Sequence, residues 1–396
     1  MAGPSRFSPE QLDKIRATLQ LGLGDDSADI LESLENRFGA NAPPEHAAEA
    51  ESGGSDDGKS HHRVPGQVNV ARIIQEEKVE KMLEAIPSVR DNPANLRALI
   101  VAILQHGKAF HMVDALSKVR SDVELVNALV HGIINKTGVN PLIDALRYAG
   151  ESQLAMQALA HAICKQGTIQ HIIRAIATVH KNPEVSQIWA LEVMGKGNVE
   201  QMLEALNLID KDSNGPVILV TGIVSNKESS TEQLIRALQG CKENPKALAV
   251  VAVELAKRAD TSSMVTLLDK YVSDSTDAGE IVVAKLVNKG RPQQIADACK
   301  HITSDSNAAR ILAWGVATKC ALDQLLRAHR LLTTSPMARQ MVGLEIVKKR
   351  GKLMAMKDLG SEVWDLVKNQ AEIEAFMRKS QKRLEWVLKN QLGEEA

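Results

Sequence analysis

The stretch Met82-Leu83-Glu84-Ala85-Ile86 decides the fold, because its pattern returns along most of the chain: two apolar residues, one variable residue, alanine and a further apolar residue. We call the alanine, or the residue in its place, the anchor of each copy. The anchors are Ala85, Ala115, Ala145, Ala175, Ala205, Ala237, Leu267, Ala298 and Ala328. Consecutive anchors are 30 residues apart except for one interval of 31 and one of 32. A fixed period of this length is the signature of a repeat protein.

Each copy is predicted to hold two helices. The anchor pattern marks the first, and apolar residues fourteen and eighteen positions after the anchor, such as Leu99 and Ile103, give a second helix its own apolar face. Asn92-Pro93 and its equivalents predict where the first helix ends, since the residue before a proline avoids helical geometry. Glycines near the ends of the copies predict left-handed residues that close the second helices: Gly107, Gly138, Gly167, Gly197, Gly290 and Gly351. The sequence therefore predicts an all-α fold of about nine two-helix repeats of 30–31 residues with capping helices at both ends.

The repeats occupy residues 66–360, and three other segments are predicted around them. Residues 1–39 read as a short helical docking segment that begins at a capping box, Ser8-Pro9-Glu10-Gln11. Its two apolar stripes are Leu12, Ile15 and Leu19, then Ile30, Leu34 and Phe38. Residues 40–65 have the polar, acidic composition of a disordered linker. Residues 361–396 are expected to form a capping or interaction helix that runs from Ser361 to about Leu392 and has Ile373 and Phe376 on its apolar side.

Composition narrows the class of protein. The 396 residues are 44% hydrophobic, 24% charged and 3% aromatic, which suits a large aliphatic core. No membrane-spanning stretch or signal-peptide pattern is present, so we expect a cytoplasmic protein. The four cysteines stand far apart without a C-x-x-C pair, so we expect reduced, mostly buried thiols and no zinc knuckle.

A helical pair that repeats every 30 to 31 residues resembles the short HEAT-like repeats, the kind found in phycobilin-lyase-type proteins. The resemblance covers roughly residues 68–360 and depends on the alanine-centred apolar pattern. It implies a right-handed α-solenoid whose second helices line a concave groove that binds other proteins.

In a solenoid, binding residues are expected as rows, in which the same position is polar in successive repeats. Three such rows stand on the second helices, twelve, sixteen and twenty residues after the anchor; we call them row 12, row 16 and row 20. The predicted partner-binding residues are Arg97, Asn127, Gln157 and Gln187 in row 12, His131 and His161 in row 16, and Gln105, Asn135 and Lys165 in row 20. In later repeats row 16 turns apolar, at Val253 and Trp314, which would suit an amphipathic partner helix. A solvated helix face without a special purpose is the competing interpretation.

The leading functional hypothesis is a non-enzymatic scaffold or adaptor that holds a partner protein or peptide on the concave face. No catalytic, cofactor-binding or metal-binding residue is assigned, because two histidines in register lack a third ligand and no catalytic motif is present. By resemblance, the alternative is a phycobilin-lyase-like or other tetrapyrrole-handling enzyme, for which a reactive cysteine or a histidine and aromatic cluster is expected.

A HEAT-like nucleic-acid binder is a further alternative. The repeats hold 36 basic and 30 acidic residues without a concentrated basic row, which disfavours phosphate binding. Residues 1–65 hold twelve acidic and six basic residues. An intramolecular contact between this acidic arm and the mildly basic repeats is therefore expected.

The repeat number sets the expected size. Nine helix pairs stacked at about 8–10 Å each give a body on the order of 80 Å long. Small-angle X-ray scattering from residues 66–396 should therefore show an elongated particle, and a globular scattering profile would contradict the repeat interpretation.

Overall fold

The computed structural model describes residues 69–119, 121–150, 152–179, 182–274 and 276–394. It is 79% helical, and the described residues form 22 α-helices and no strand, which confirms the all-α class. No helix in these ranges has the length and apolar character needed to cross a membrane. The predictions for residues 1–39 and 40–65 lie outside the described residues.

The chain forms two compact units, and the boundary between them falls after Leu219, inside helix α11 (Gly215–Ser225). The first unit contains α1 (Val70–Gln75), α2 (Val79–Ala85), α3 (Pro93–His106), α4 (Ala109–Lys118), α5 (Val123–Lys136), α6 (Val139–Leu146), α7 (Gln153–Gln166), α8 (Ile169–Thr178), α9 (Pro183–Lys196) and α10 (Val199–Leu208). The second unit contains α12 (Thr231–Gly240), α13 (Pro245–Arg258), α14 (Thr261–Lys270), α15 (Asp277–Lys289), α16 (Pro292–Ala298), α17 (Asn307–Lys319), α18 (Leu322–Leu331), α19 (Pro336–Arg350), α20 (Lys352–Leu359), α21 (Glu362–Lys368) and α22 (Gln370–Val387).

Within each unit the helices form two layers. The anchor-bearing, even-numbered helices contact one another in sequence from α2 to α10 and again from α14 to α18. The second helices, which carry odd numbers, do the same from α1 to α9 and from α13 to α19. Helices of the two layers also contact each other, as α6 does α7. This arrangement lets each repeat bury its apolar faces against its own pair and its neighbours.

The core lies between the two layers, where the predicted positions are found. Every anchor is at most 5% exposed. The residues fourteen positions later are at most 1% exposed: Leu99, Leu129, Leu159, Trp189, Leu219, Val251, Ile281, Leu312 and Val342. The predicted helical register is therefore confirmed in every repeat.

The asparagine–proline pairs mark the beginnings of second helices. Asn92 is the N-cap of α3, where its Oδ1 accepts a hydrogen bond from the Asn95 amide at 3.1 Å and Pro93 takes the first helical position. Asn182 and Asn244 cap α9 and α13 in the same way. The pairs therefore separate the two helices as predicted, and they also stabilise the second one, because a capping side chain satisfies an amide that has no partner inside the helix.

The glycine prediction is wrong for five of the six positions. Gly107 closes α3 with a φ of −79° and a ψ of 154°, which is extended geometry. Of the six glycines only Gly351 has a positive φ, at 79°. Glycine is favoured at position 107 for space, because an added Cβ would lie 2.4 Å from the Ile103 carbonyl oxygen.

Basic residues at the last turn of the second helices connect neighbouring repeats. The Lys136 ammonium donates to the Leu104 carbonyl at 2.5 Å, and Lys196 donates to the Cys164 carbonyl at 3.1 Å. Lys319 and Lys349 reach the Val287 and Cys320 carbonyls at 2.6 and 2.9 Å. Arg258 reaches the Ser229 carbonyl at 2.8 Å, in the loop that follows α11. The lysines satisfy carbonyls that a helix leaves unpaired at its C-terminal end, where the helix dipole favours a positive charge.

The C-terminal segment differs from the single predicted helix. It breaks at Asn369, which separates α21 from α22, and α22 continues into a π-helical turn, Leu388–Leu392. Helix α22 turns back and contacts α15, α17 and α19. The segment therefore covers the second-helix layer of the second unit in addition to following the end of the repeats.

Leu159 tests the core assignment. It is fully buried in α7, so Leu159→Ala should lower the free energy of unfolding by roughly 2–5 kcal/mol. Leu154, on the same helix, is 61% exposed, and Leu154→Ala should change the free energy of unfolding by less than about 0.5 kcal/mol. Urea denaturation of both variants measures the difference, and equal effects would show that the register is wrong.

Candidate functional site

The nine predicted binding residues lie on α3, α5, α7 and α9. Six are exposed (Arg97, Gln105, His131, Asn135, His161 and Lys165) and three are half-buried (Asn127, Gln157 and Gln187). Because a helix turns about 100° per residue, rows 12, 16 and 20 point away from the core position fourteen after the anchor. The structure therefore brings these residues to one side of the second-helix layer, which we call the second-helix face.

Polar contacts join row 12 from one helix to the next. Arg97 forms an ion pair with Glu124 of the following second helix, and Gln157 donates in the same way to Glu184. Asn127 Oδ1 accepts a hydrogen bond from Ser152 Oγ at 2.7 Å. The contacts of Arg97 and Gln157 are exposed and contribute at most about 1 kcal/mol each, so they orient these two side chains but add little to the stability of the fold.

Burial changes along row 16. Val101 is 51% exposed, and His131 and His161 are exposed as well. Leu191, one repeat further, is only 3% exposed. The accessible part of this row in the first unit thus lies on α3, α5 and α7.

In the second unit the same rows bind the chain's own helix α22. Arg310, in row 12 of its repeat, has its guanidinium 5.5 Å from the centroid of the Phe376 ring. Lys348, in row 20, forms a 2.9 Å ion pair with Glu374. These two residues occupy the positions that Arg97 and Lys165 hold in the first unit. The geometry of the fold therefore lets rows 12 and 20 receive a helix.

Two buried charge contacts hold the far end of this segment. Arg383 of α22 forms an ion pair with Glu280 of α15, which is 4% exposed, and its Nη2 lies 3.1 Å from Oε2. This hydrogen bonding raises the pKa of Arg383. Beyond α22, Glu394 accepts from Lys285 at 2.5 Å and from Asn288 at 3.0 Å. Burial by itself would raise the pKa of Glu394, but the hydrogen bond and charge of Lys285, helped by Asn288, lower it.

The histidines of the first unit show no metal-site geometry. Among the described residues, no group of three or more His, Cys, Asp or Glu side chains could hold a metal ion. His111 and His171 instead cap helices: their Nδ1 atoms accept hydrogen bonds from the Lys108 and Thr168 amides at 3.1 and 3.2 Å.

All four cysteines are buried. Burial raises the pKa of the Cys320 thiol to about 11, and it raises the pKa of Cys299 further still. Both thiols are thus protonated at neutral pH, whereas a cysteine that attaches a tetrapyrrole needs an accessible thiolate. The feature expected of a lyase is not found at these two positions.

A cavity of about 500 Å³ lies at the connections between the first-unit helices α2, α3, α4 and α5. Its lining combines apolar residues such as Ile86 and Leu96 with charged ones such as Arg90 and Asp122, and includes one hydroxyl, Ser121. Ser121 Oγ accepts a hydrogen bond from Arg90 Nη2 at 3.4 Å. No histidine or other base pairs with this hydroxyl in the lining, so the cavity lacks the nucleophile and base arrangement of a hydrolase.

Two features escaped the sequence analysis. The basic residues that contact neighbouring carbonyls recur 21 positions after the anchor, at Lys136, Lys196, Arg258, Lys319 and Lys349, and this spacing could have revealed them. The apolar stripe of the C-terminal helix was visible at Ile373 and Phe376, but the surface that it covers was not, because a stripe does not identify its partner.

Comparisons of the chain with models of known protein families, with curated proteins and with solved structures find no match. The second-helix face must therefore be interpreted from its own geometry.

The Glu280 contact can be tested directly. Arg383→Met would leave the Glu280 carboxylate buried without its cation, so we expect a loss of about 1–3 kcal/mol in stability and faster hydrogen exchange in α22. Lys382→Met removes an exposed neighbouring charge and should change neither. Combining Arg383→Met with Glu280→Gln should recover part of the loss; if the single variant exchanges as slowly as the parent protein, the contact does not hold α22.

Proposed function

We propose that the protein is a non-enzymatic scaffold or adaptor that binds a helical segment of a partner protein on its second-helix face. In this proposal the helix pairs form a right-handed HEAT-like solenoid of about nine repeats, and the second-helix face is its concave side. A cytoplasmic location is part of the same proposal.

One observation carries the proposal: helix α22 lies on this face in the second unit. It uses an aromatic ring against Arg310 and a carboxylate against Lys348, from rows 12 and 20. Helix-in-groove binding by an amphipathic segment is a common mode of protein recognition. The first unit repeats the same rows on α3, α5 and α7, so the surface that accepts a helix in one unit recurs in the other.

The chemistry of the rows indicates which helix fits the first unit. Row 12 offers the Arg97 guanidinium and the amides of Asn127 and Gln157, which donate hydrogen bonds to carboxylates and carbonyls. Row 16 offers the exposed side chain of Val101 and two imidazoles. A partner helix with acidic or amide residues on one edge and a narrow apolar stripe would match this surface better than a broad hydrophobic one.

The acidic arm is the second proposed ligand of the repeats. Its excess of carboxylates over basic residues complements the mildly basic repeats, and its connection to the repeats keeps it close to their surface. A protein partner and this arm would then share the second-helix face.

The partner-binding proposal is tested by comparing affinity purifications from the native cell, quantified by mass spectrometry. The double variant Arg97→Glu and Gln157→Glu should recover its specific partner at least tenfold less, because it reverses the charge of row 12 next to Glu124 and Glu184.

The control is Glu204→Lys, an exposed charge reversal on the first-helix layer, which should leave recovery unchanged. Melting temperatures of all three proteins should agree closely, since exposed ion pairs contribute little to stability. Equal recovery by the double variant and the parent protein would remove the second-helix face as the binding surface.

A further inference from the structure

The outward side of helix α22 carries a concentration of positive charge. Its inward side packs on the second-helix layer, and Ile373 and Val387 on that side are at most 1% exposed. Lys382 lies about 180° around the helix from Ile373, so it points away from the layer. Residues 377–389 hold five basic side chains and one acidic one. Four of the basic side chains are exposed, and we call them the basic stripe: Arg378, Lys379, Lys382 and Lys389.

The basic stripe has no matching anion in the described part of the chain. The ion pairs that α22 forms there involve Glu374 and Arg383, and no residue of the basic stripe joins one. Glu385 is the one carboxylate among residues 377–389, and it accepts a hydrogen bond from the Gln381 amide at 2.9 Å. The charge of the stripe is therefore open to solvent.

Like charges occupy neighbouring positions on this side of the helix. Arg378 and Lys382 stand four residues apart, as do Lys379 and Arg383. Like charges at this spacing weaken a helix, whereas a glutamate at one of the two positions would strengthen it. Lys379 gains some compensation from the Phe376 ring, whose centroid lies 5.2 Å from its Nζ. A pattern that lowers the stability of its own helix favours a role in binding.

A tryptophan lies beside the basic stripe. Trp386 comes one turn after Lys382 and is 45% exposed. The Arg383 guanidinium lies over its ring, 4.3 Å from the centroid, and this contact orients the indole. An indole combines an apolar body with a polar N–H, and such rings concentrate at the boundary between membrane and water. Cations and an interfacial ring therefore share the outward side of α22.

We propose that the outward side of α22 docks on the surface of an anionic phospholipid bilayer. The basic stripe lies among the anionic headgroups, and Trp386 enters the interfacial layer. Helices that carry about four or more exposed lysines and arginines are typical of binding to anionic lipids. The apolar side of α22 is already buried in the protein, so the helix adsorbs through its charge and one indole.

Two other anionic partners fit the basic stripe less well. The core of a protein interface is apolar and depleted in lysine, and Trp386 is the one exposed large apolar side chain of α22. A nucleic-acid binder with strong salt dependence neutralises on the order of six to ten phosphates, and the stripe offers four cations. Adsorption to lipid needs only a few cations and an interfacial ring.

This surface is separate from the second-helix face. Helix α22 covers that face with its inward side and presents the basic stripe on its outward side. The proposal therefore goes beyond partner binding and concerns the surface on which the protein is held. It agrees with the proposed cytoplasmic location, because anionic lipids are found in the cytoplasmic leaflet.

Flotation of the full chain with lipid vesicles tests the docking. The parent protein should bind vesicles that contain about 30% phosphatidylserine, and it should not bind vesicles of phosphatidylcholine alone. Each cation near an anionic surface strengthens binding about fivefold. The triple variant Arg378→Gln, Lys382→Gln and Lys389→Gln should therefore bind about a hundredfold more weakly. Binding of the parent protein should also fall as the salt concentration is raised from about 0.1 to about 0.5 M.

The matched control removes three exposed lysines near the ends of first-layer helices in the second unit: Lys242→Gln, Lys270→Gln and Lys300→Gln. It changes the net charge by the same amount, so it separates the basic stripe from overall charge. Its vesicle binding should stay within about twofold of the parent protein. Melting temperatures close to that of the parent would show that both triple variants are folded. Equal vesicle binding by the two variants would overturn the proposal.

Tryptophan fluorescence tests the orientation on the bilayer. Phosphatidylserine vesicles should shift the emission of the parent protein to shorter wavelengths as Trp386 enters the interface. Trp386→Ala should remove this shift and weaken binding about fivefold. Trp364 is 59% exposed on α21, outside the stripe, so Trp364→Ala should keep both the shift and the binding. A shift that survives in Trp386→Ala would contradict the proposed orientation.

Duplex DNA and polyglutamate probe the two alternative partners. At about 0.1 M salt the parent protein should bind the phosphatidylserine vesicles, and neither polymer should show binding that depends on the basic stripe. Stripe-dependent binding to either polymer without binding to the vesicles would overturn the proposal, because the stripe would then serve a nucleic acid or an acidic protein.

Discussion

The structure depends on the burial of one repeat against the next. A single helix pair cannot remove both of its apolar faces from water, so each first helix packs on the first helices beside it and each second helix on the second helices. The alanine anchors keep the two layers close, and Leu99, Leu159 and their equivalents fill the space between them. The basic residues at the last turns of the second helices add a polar counterpart, because each satisfies a carbonyl of the preceding repeat. Packing of this kind fixes which side of every second helix faces away from the core, and it thereby defines the second-helix face.

The fold could be predicted from the sequence because the residues that determine the fold recur at a fixed spacing. The anchors and the core positions fourteen residues later recur nine times, so the register was determined without any single residue being decisive. The predicted left-handed geometry of the glycines was wrong for a local reason. Position 107 needs glycine because a Cβ there would lie too close to the Ile103 carbonyl oxygen, and a sequence does not distinguish that requirement from a left-handed turn. The break at Asn369 was missed because apolar residues continue on both sides of it.

The candidate site could be predicted only in part, for a different reason. The nine row residues were found because they share positions on successive helices, and the structure places them on one side of the second-helix layer. The occupant of that side in the second unit was not predictable, since contacts such as Arg383 with Glu280 join residues about a hundred positions apart. Long-range contacts of this kind do not produce a repeated pattern in the sequence. Only the apolar stripe of α22 indicated that a partner surface existed.

Helix α22 lies on the second-helix face of the second unit, where it would compete with any external helix that used the same rows. A tethered segment acts at an effective concentration on the order of millimolar, so an external helix that uses the same rows must bind far more tightly than its free concentration would suggest. If the second-helix face binds partner helices as proposed, the second unit would therefore exclude helices that bind it weakly or nonspecifically. Under the same proposal, the exposed row residues on α3, α5 and α7 would be open to a partner of moderate affinity. In the proposed function, the same row positions would then differ in the affinity that they demand of a ligand, because helix α22 already lies on them in the second unit.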